Sequence, residues 1–367
     1  MATPRCLRTI VVLAVLAAVP VVRPAAAEAG EPVAAGGFVG IVAEHAYAAD
    51  PAKRHSTLKW IRDVGVGTVR QTLDWASHEP APGRFDWSRY DAWVRSTAKL
   101  GLEVLPILFN PPRWASSRPR RRAKRGTYPP RRFTDLARFA AAAARRYGPD
   151  GTFWEENPDV PRMPIRAWQV WNEPNLEMYW PSGPNPRQYV RMLRAVSRAI
   201  KQVDPDAVIV TGGMPQSRLG IPLRTYVRRM YLAGGRDSFD MVAVNPYART
   251  PALVLNMLRG VRREMDRFGD LDAEIWVTEV GWSDVGPRGA FRLGPQGQAR
   301  AIRDTMTLLW KERGSLRLRG MVYFNWRDAK PWPGGKDFWG LHTGLLRRNN
   351  TPKPAYYAFR DTAWSLR

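Results

Sequence analysis

Along the chain, short apolar runs alternate with longer amphipathic ones. The short runs are Phe38–Val42, Thr68–Leu73, Glu103–Phe109, Arg166–Trp171, Ala207–Thr211, Met241–Asn245, Glu274–Glu279 and Gly320–Asn325. Most are rich in Val and Ile with little polar alternation, the pattern of strands covered on both faces. Between them, Leu136, Phe139, Ala140, Ala143 and Tyr147 repeat at spacings of three and four, and so do Ile302, Met306, Leu309 and Trp310. Each set draws one apolar stripe along a helix. Pro352–Asp361 supplies a last helical segment. Strands alternating with helices eight times predict an α/β fold, a single (β/α)8 TIM barrel. An open doubly wound sheet would carry a Gly-rich nucleotide loop after its first strand, and residues 38–46 hold none. No internal repeat or low-complexity linker interrupts the pattern, so residues 28–367 read as one domain.

The loops after strands three, four, seven and eight are long and rich in Pro, Gly and Trp. In a barrel these loops emerge together at the C-terminal face, where function concentrates. The third contains Arg118-Pro119-Arg120-Arg121-Arg122-Ala123-Lys124-Arg125, followed by Arg131 and Arg132. Such a run is either a solvated loop or a grip on acidic groups of a substrate.

The start of the chain has a different composition. Arg5 and Arg8 precede an apolar stretch from Ile10 to Val22, broken by Pro20, and Ala25-Ala26-Ala27 offers a small-residue cleavage site. This predicts a secretory signal over residues 1–27 and a secreted or extracytoplasmic protein. The apolar stretch, about 13 residues, falls short of the ~20 needed to span a bilayer, so no transmembrane segment is expected after cleavage. Cys6, the only cysteine, lies inside this segment, which excludes disulfides and thiol chemistry from the mature chain. The four histidines, His45, His55, His78 and His342, have no metal-ligand spacing. Neither a metal nor a cofactor is expected. The formal charge is +24, and +21 once residues 1–27, with Arg5, Arg8 and Arg23 and no acid, are set aside. That excess points to an anionic neighbour, such as an acidic polysaccharide or a cell wall, or to solubility alone. No nucleic-acid motif accompanies it, and the expected state is a monomer.

Two glutamates carry the candidate chemistry. Glu173 sits in Trp171-Asn172-Glu173-Pro174-Asn175 and Glu279 in Trp276-Val277-Thr278-Glu279-Val280-Gly281-Trp282. Each ends a strand-like run, the fourth and the seventh. Two facing carboxyl groups are the minimum kit for cleaving a glycosidic bond.

The Trp-Asn-Glu-Pro-Asn motif resembles the acid/base motif of the clan A glycoside hydrolases. That resemblance spans residues 38–360 and implies a (β/α)8 barrel with the acid/base after strand four and the nucleophile at the end of strand seven. Arg70 matches the arginine kept beneath the nucleophile, and Tyr247 a tyrosine that contacts it. Trp326 matches a tryptophan forming the floor under the bound sugar. The stretch from Trp75 to Trp87, Gly344-Leu345-Leu346 and Lys353-Pro354-Ala355-Tyr356 are also similar to the clan. The likeness is greatest to family 39-like proteins, endo-acting polysaccharide hydrolases among them, with family 5 a near neighbour. Many relatives carry a histidine where this chain has Asn245.

The resemblance implies a retaining hydrolase acting on a carbohydrate polymer, with an anionic glycan as a candidate. A non-catalytic carbohydrate- or cell-wall-binding barrel is the alternative, as is a basic protein that binds anionic polymers by charge alone. In a retaining enzyme the carboxyl groups stand roughly 5–5.5 Å apart. At that separation they repel by about 3 kcal/mol at an effective dielectric near 20, which lifts one glutamic acid from ~4.3 toward ~6. Glu173 then acts as acid and Glu279 as nucleophile beside Arg70, while Asn172 donates to the sugar 2-hydroxyl. Of the 16 tryptophans, Trp60, Trp168 and Trp310 are expected in the core. Trp114, Trp180, Trp282, Trp332 and Trp339 fall in the loops of the candidate active face, where flat rings stack on sugars.

Overall fold

Eight parallel strands close into a ring in the computed structural model, which describes residues 35–121, 125–331 and 334–366. The strands are β1 (Val39–Val42), β2 (Thr68–Asp74), β3 (Glu103–Phe109), β4 (Ala167–Val170), β5 (Val208–Thr211), β6 (Met241–Asn245), β7 (Glu274–Val280) and β8 (Leu318–Tyr323). Each is followed by a helix of the outer layer: α1 (Pro51–Asp63), α2 (Ser88–Ala98), α3 (Phe133–Tyr147), α4 (Pro186–Lys201), α5 (Leu223–Leu232), α6 (Pro251–Arg267), α7 (Gly294–Lys311) and α8 (Pro354–Ser365). The ring shuts where β1 pairs with β8, Val39 opposite Met321 and Ile41 opposite Tyr323. This is the (β/α)8 barrel that the strand count predicts.

The apolar runs become strands because both of their faces are covered. Outward-pointing residues such as Val69, Leu108 and Val242 join the large core under the helices. Side chains alternate along a strand, so the others point inward, and Leu105, Val210, Met241, Ala243 and Trp276 form a separate small cluster inside the ring. Above this apolar plug the inward residues turn polar, beginning with Arg70 and Gln169. Helix starts follow local rules. Asp50, Asn185 and Thr250 each accept a backbone N–H two residues into the helix, and each precedes a proline, which suits a first helical position.

Beyond one-residue shifts at several strand ends, three features differ from the sequence reading. β8 begins at Leu318 and stops at Tyr323, because Phe324–Asn325 already belongs to the loop. The last helix starts at Pro354, not Pro352, since Lys353 still pairs in extended form with its N–H on Leu345 O. A two-residue strand, Met214–Pro215, pairs with β6 beyond the point where β5 leaves it. Gly212-Gly213 and Pro215 read as loop in sequence, yet this segment continues the ring after a kink.

The long loops after β3, β4, β7 and β8 share the C-terminal face. Lys353 locks two of them together. Its wholly buried ammonium donates to Asp284 and to Asp328, each at 2.7 Å. Trp168 is fully buried as expected, while Trp60 and Trp310 lie half-buried against the core. The predicted signal segment, Arg122, Lys124 and Trp332 lie outside the described residues. No described helix is long and apolar enough to cross a membrane.

Candidate active site

Arg70 is the centre of the polar layer. It points inward from β2 and is 2% exposed. A buried guanidinium is tolerated only when its donors are used. Nε donates to Gln169 at 2.7 Å, Nη1 to Glu279 Oε1 at 2.7 Å and Nη2 to Asn172 Oδ1 at 3.0 Å. Gln169 passes its own N–H to the Thr211 carbonyl. One arginine thus ties β2, β4, β5 and β7 together beneath the mouth.

The turn after β4 aims Asn172 and Glu173. Trp171 and Glu173 adopt φ of 74° and 42°, left-handed values that cost roughly 1–3 kcal/mol each outside glycine. Packing holds them there. Trp171 is buried edge-on to Phe109 at 4.7 Å, with its indole N–H on Tyr179 O. Asn175 donates to Pro215 O and Ile221 O, pinning the far end of the turn to the loop after β5.

The two glutamates meet over Arg70 in different settings. Glu279 accepts from Arg70 on Oε1 and from the Tyr247 hydroxyl on Oε2 at 2.7 Å. Both oxygens face donors, the arrangement of an ionised carboxylate. Glu173 receives one amide N–H, from Asn245 at 3.0 Å. Burial pushes its pKa up, the charge of Glu279 pushes it further, and it reaches about 8 against the pull of Asn245 and Arg70. Charge repulsion alone accounts for a rise toward ~6; desolvation, invisible in sequence, is the larger cause. The same field and burial push the Tyr179 and Tyr247 hydroxyls well up, so both stay neutral donors.

Asn245 is itself oriented. Thr278 Oγ1 donates to its Oδ1 at 2.8 Å, which leaves the amide NH2 for Glu173. Gly213 makes room for this relay, because a Cβ there would collide with the Asn245 amide oxygen and the Thr278 hydroxyl. Gly213→Ala is therefore expected to destabilise the fold by ~1–3 kcal/mol through overpacking and to loosen the Asn245 bond. Losing that bond raises the pKa of Glu173, so the alkaline limb of the rate profile moves to higher pH. Thermal melts and a pH–rate profile read both effects; an unmoved limb would mean that Asn245 stays in place.

No family model matches the chain. The β-xylosidase of Geobacillus stearothermophilus is 22% identical over 215 residues, 53% of this chain and 41% of that protein. A solved family 39 glycoside hydrolase from Bacteroides cellulosilyticus WH2 superposes with a TM-score of 0.66 at 20% identity, over 90% of this chain and 65% of that one. The fold is that of the family 39 glycoside hydrolases. A monomeric β-xylosidase from Caulobacter crescentus CB15 gives a TM-score of 0.65 at 16% identity, over 90% of this chain and 68% of that one. The chain thus spans well under half of the curated relative's length and just under two thirds of the first structure's.

On this family 39-like barrel the aromatic residues distribute differently from the sequence expectation. Trp180, Trp282 and Trp326 are buried and offer no face to a sugar. Trp180 packs edge-on against Trp171 and Tyr189, and the Trp282 indole N–H is spent on Ala248 O at 2.7 Å. Because β8 ends at Tyr323, Trp326 folds back onto the helix layer, edge-on to Trp60 at 5.4 Å and near Tyr356. Phe324 takes the inner position instead, 6.4 Å from the Tyr247 ring. Trp339 and Phe291 complete that wall, at 4.8 and 6.1 Å from Tyr247. Phe109 and Tyr179 stand together 5.9 Å apart on the β3–β4 side. Trp114 is half-buried at the rim, its N–H on Glu79 O and Arg138 over its ring.

Sequence reasoning missed Gln169, Tyr179, Thr278 and Phe324. Gln169 had a signal, being a polar residue inside a buried apolar strand. Thr278, polar inside β7, carried the same signal; Tyr179 and Phe324 had none, since an aromatic beyond a strand end reveals neither its direction nor its neighbours. Among the described residues no cluster of three or more His, Cys, Asp and Glu side chains could hold a metal ion.

Proposed function

We propose that the chain is a secreted, retaining glycoside hydrolase that cleaves a polysaccharide by double displacement. The observation that carries this reading is the asymmetry of the pair: a buried Glu173 whose pKa stands at about 8, beside a Glu279 gripped by Arg70 and Tyr247. Glu173 gives its proton to the leaving oxygen while a Glu279 oxygen attacks the anomeric carbon, forming a glycosyl ester. Esterification removes the Glu279 charge, so Glu173 becomes more acidic and takes a proton from the incoming water. That water attacks the anomeric carbon and releases Glu279. Asn172, whose carbonyl is engaged by Arg70, keeps an N–H for the sugar 2-hydroxyl.

Aromatic rings on both sides of the pair, Phe109 and Tyr179 opposite Phe291 and Trp339, support an extended, endo-acting groove with several subsites. Exposed Arg118, Arg120 and Arg121 near the rim support a preference for acidic glycans. Residues 1–27 are proposed to direct export, and the mature chain to act as a monomer. Incubation of the full-length mature protein with acidic polysaccharides and with neutral xylan, with product sizes and the anomeric configuration followed by NMR, tests the reading. Retention with oligosaccharide products is expected. Inversion would sink double displacement, and binding without any product would favour the carbohydrate-binding alternative.

A further inference from the structure

The basic charge is not spread evenly over the helix layer. α4 carries Arg187, Arg191, Arg194, Arg198 and Lys201 and no Asp or Glu. The four arginines follow one another at spacings of four, three and four, so they form one stripe, ~16 Å long at 1.5 Å per residue. The opposite face, with Tyr189, Val190, Leu193, Val196 and Ile200, is buried on the barrel. Arg187, Arg191 and Arg198 are exposed. Among the described residues none of the four arginines has a carboxylate within ion-pair distance. Arg194 reaches only the Gly234 carbonyl, and Arg191 lies 6.0 Å from the Phe133 ring centroid. Cations nearby are treated otherwise: Lys201 pairs with Asp240, and Arg224 and Arg228 share Glu264. Like charges one turn apart weaken a helix, so helix stability does not account for the stripe.

An open, shallow cleft of ≈ 600 Å3 lies beside the stripe, lined by Asn185, Arg187, Gln188, Arg191, Leu232 and Ala233. Leu232 is 68% exposed. None of these residues contacts Glu173 or Glu279. The lining combines guanidinium forks, which match carboxylate or sulfate groups, amide groups able to bond hydroxyls, and an apolar side chain suited to the flat face of a sugar ring. It has no aromatic platform for stacked bases, which disfavours single-stranded nucleic acid.

We infer that the α4 stripe and its cleft form a second glycan-binding site, away from the carboxylate pair, that takes an anionic polysaccharide chain. The choice of polymer rests on the proposed glycan chemistry; the binding itself does not. Successive arginines one turn apart, ~5.4 Å, engage acidic groups on successive sugar units and hold the polymer on the enzyme while the barrel mouth works on another stretch.

Affinity electrophoresis of the whole protein through gels containing polygalacturonate, neutral xylan or no polymer tests this. Salt-sensitive retardation by polygalacturonate and none by xylan is expected. The triple variant Arg187→Gln/Arg191→Gln/Arg198→Gln should lose tenfold or more in affinity for polygalacturonate. It should keep its melting temperature and its rate on a small aryl glycoside. The corresponding Lys variant should retain most of the retardation. Undiminished binding by the Gln variant would overturn the inference, as would equal retardation by xylan. Single-stranded DNA bound as tightly as polygalacturonate would also overturn it, reducing the stripe to a general polyanion surface. Retardation needs no turnover, so an inactive protein that binds leaves this inference standing, whereas an active one that does not bind refutes it alone.

Discussion

Glu279→Ala should lower hydrolysis by ~10⁴-fold or more, the scale of losing a covalent nucleophile. The variant loses the carboxylate that bridges Arg70 Nη1 and the Tyr247 hydroxyl. Arg70 is then a buried cation without its counter-ion, a change that costs ~3–5 kcal/mol when nothing compensates. Here Gln169 and Asn172 still accept from two of its nitrogens, so a folded protein with a lowered melting temperature is expected. Glu279→Gln keeps an acceptor for Arg70 and separates the two effects, being nearly as inactive yet closer to native stability. Formate should partly restore turnover of an activated aryl glycoside in the Ala variant, because a small anion fits beside Arg70 and Tyr247. Full activity in either variant would end the double-displacement reading. Low activity without formate rescue in a folded Ala variant would recast Glu279 as a structural partner of Arg70.

The barrel was legible because its signals are repetitive. Eight short apolar runs, most of them Val/Ile-rich, and the apolar helical stripes between them point to one architecture, so an error in one element does not disturb the rest. The Met214–Pro215 strand was not legible, because glycine and proline announce a loop whatever they pair with. The carboxylate pair could be located because Glu173 lies in the turn directly after β4 and Glu279 near the end of β7, and strand order alone brings the fourth and seventh ends to one mouth. Loop tryptophans are a different matter. Trp180, Trp282 and Trp326 sit on the active side in sequence, yet burying such large apolar rings is more favourable than leaving them exposed. Each turned inward, and smaller aromatics, Phe324 and Tyr179, were left to face the pair. Sequence shows which residues share a loop. It does not show which of them the core claims first.

Glu173 should reveal itself by two opposite effects. Glu173→Ala removes the proton donor, so cleavage of natural, poor leaving groups should fall by ~10²–10⁴-fold. Activated aryl glycosides need little protonation, and their bond-breaking step should be nearly unchanged. Equal losses on both substrate types would remove Glu173 from the acid role. In the native protein the acid must carry its proton, so kcat/KM should decline as pH rises through about 8, and that limb should vanish in the variant. The second effect concerns stability. The folded pKa lies above the ordinary value of 4.5, so between the two the unfolded chain has released a proton that the folded chain still holds. Native stability supplied by this group is complete below about 4.5, drains as pH rises, and is lost once pH passes about 8. Glu173→Gln, neutral at every pH, escapes that loss. It should melt at nearly the same temperature as the native protein at pH 4 and above it at pH 8, by an amount worth on the order of a few kcal/mol. A parallel pair of melting curves across that range would mean that Glu173 is not held protonated by burial. Divergence would show that the same desolvation that makes Glu173 an acid near neutral pH is what the fold gives up to have it.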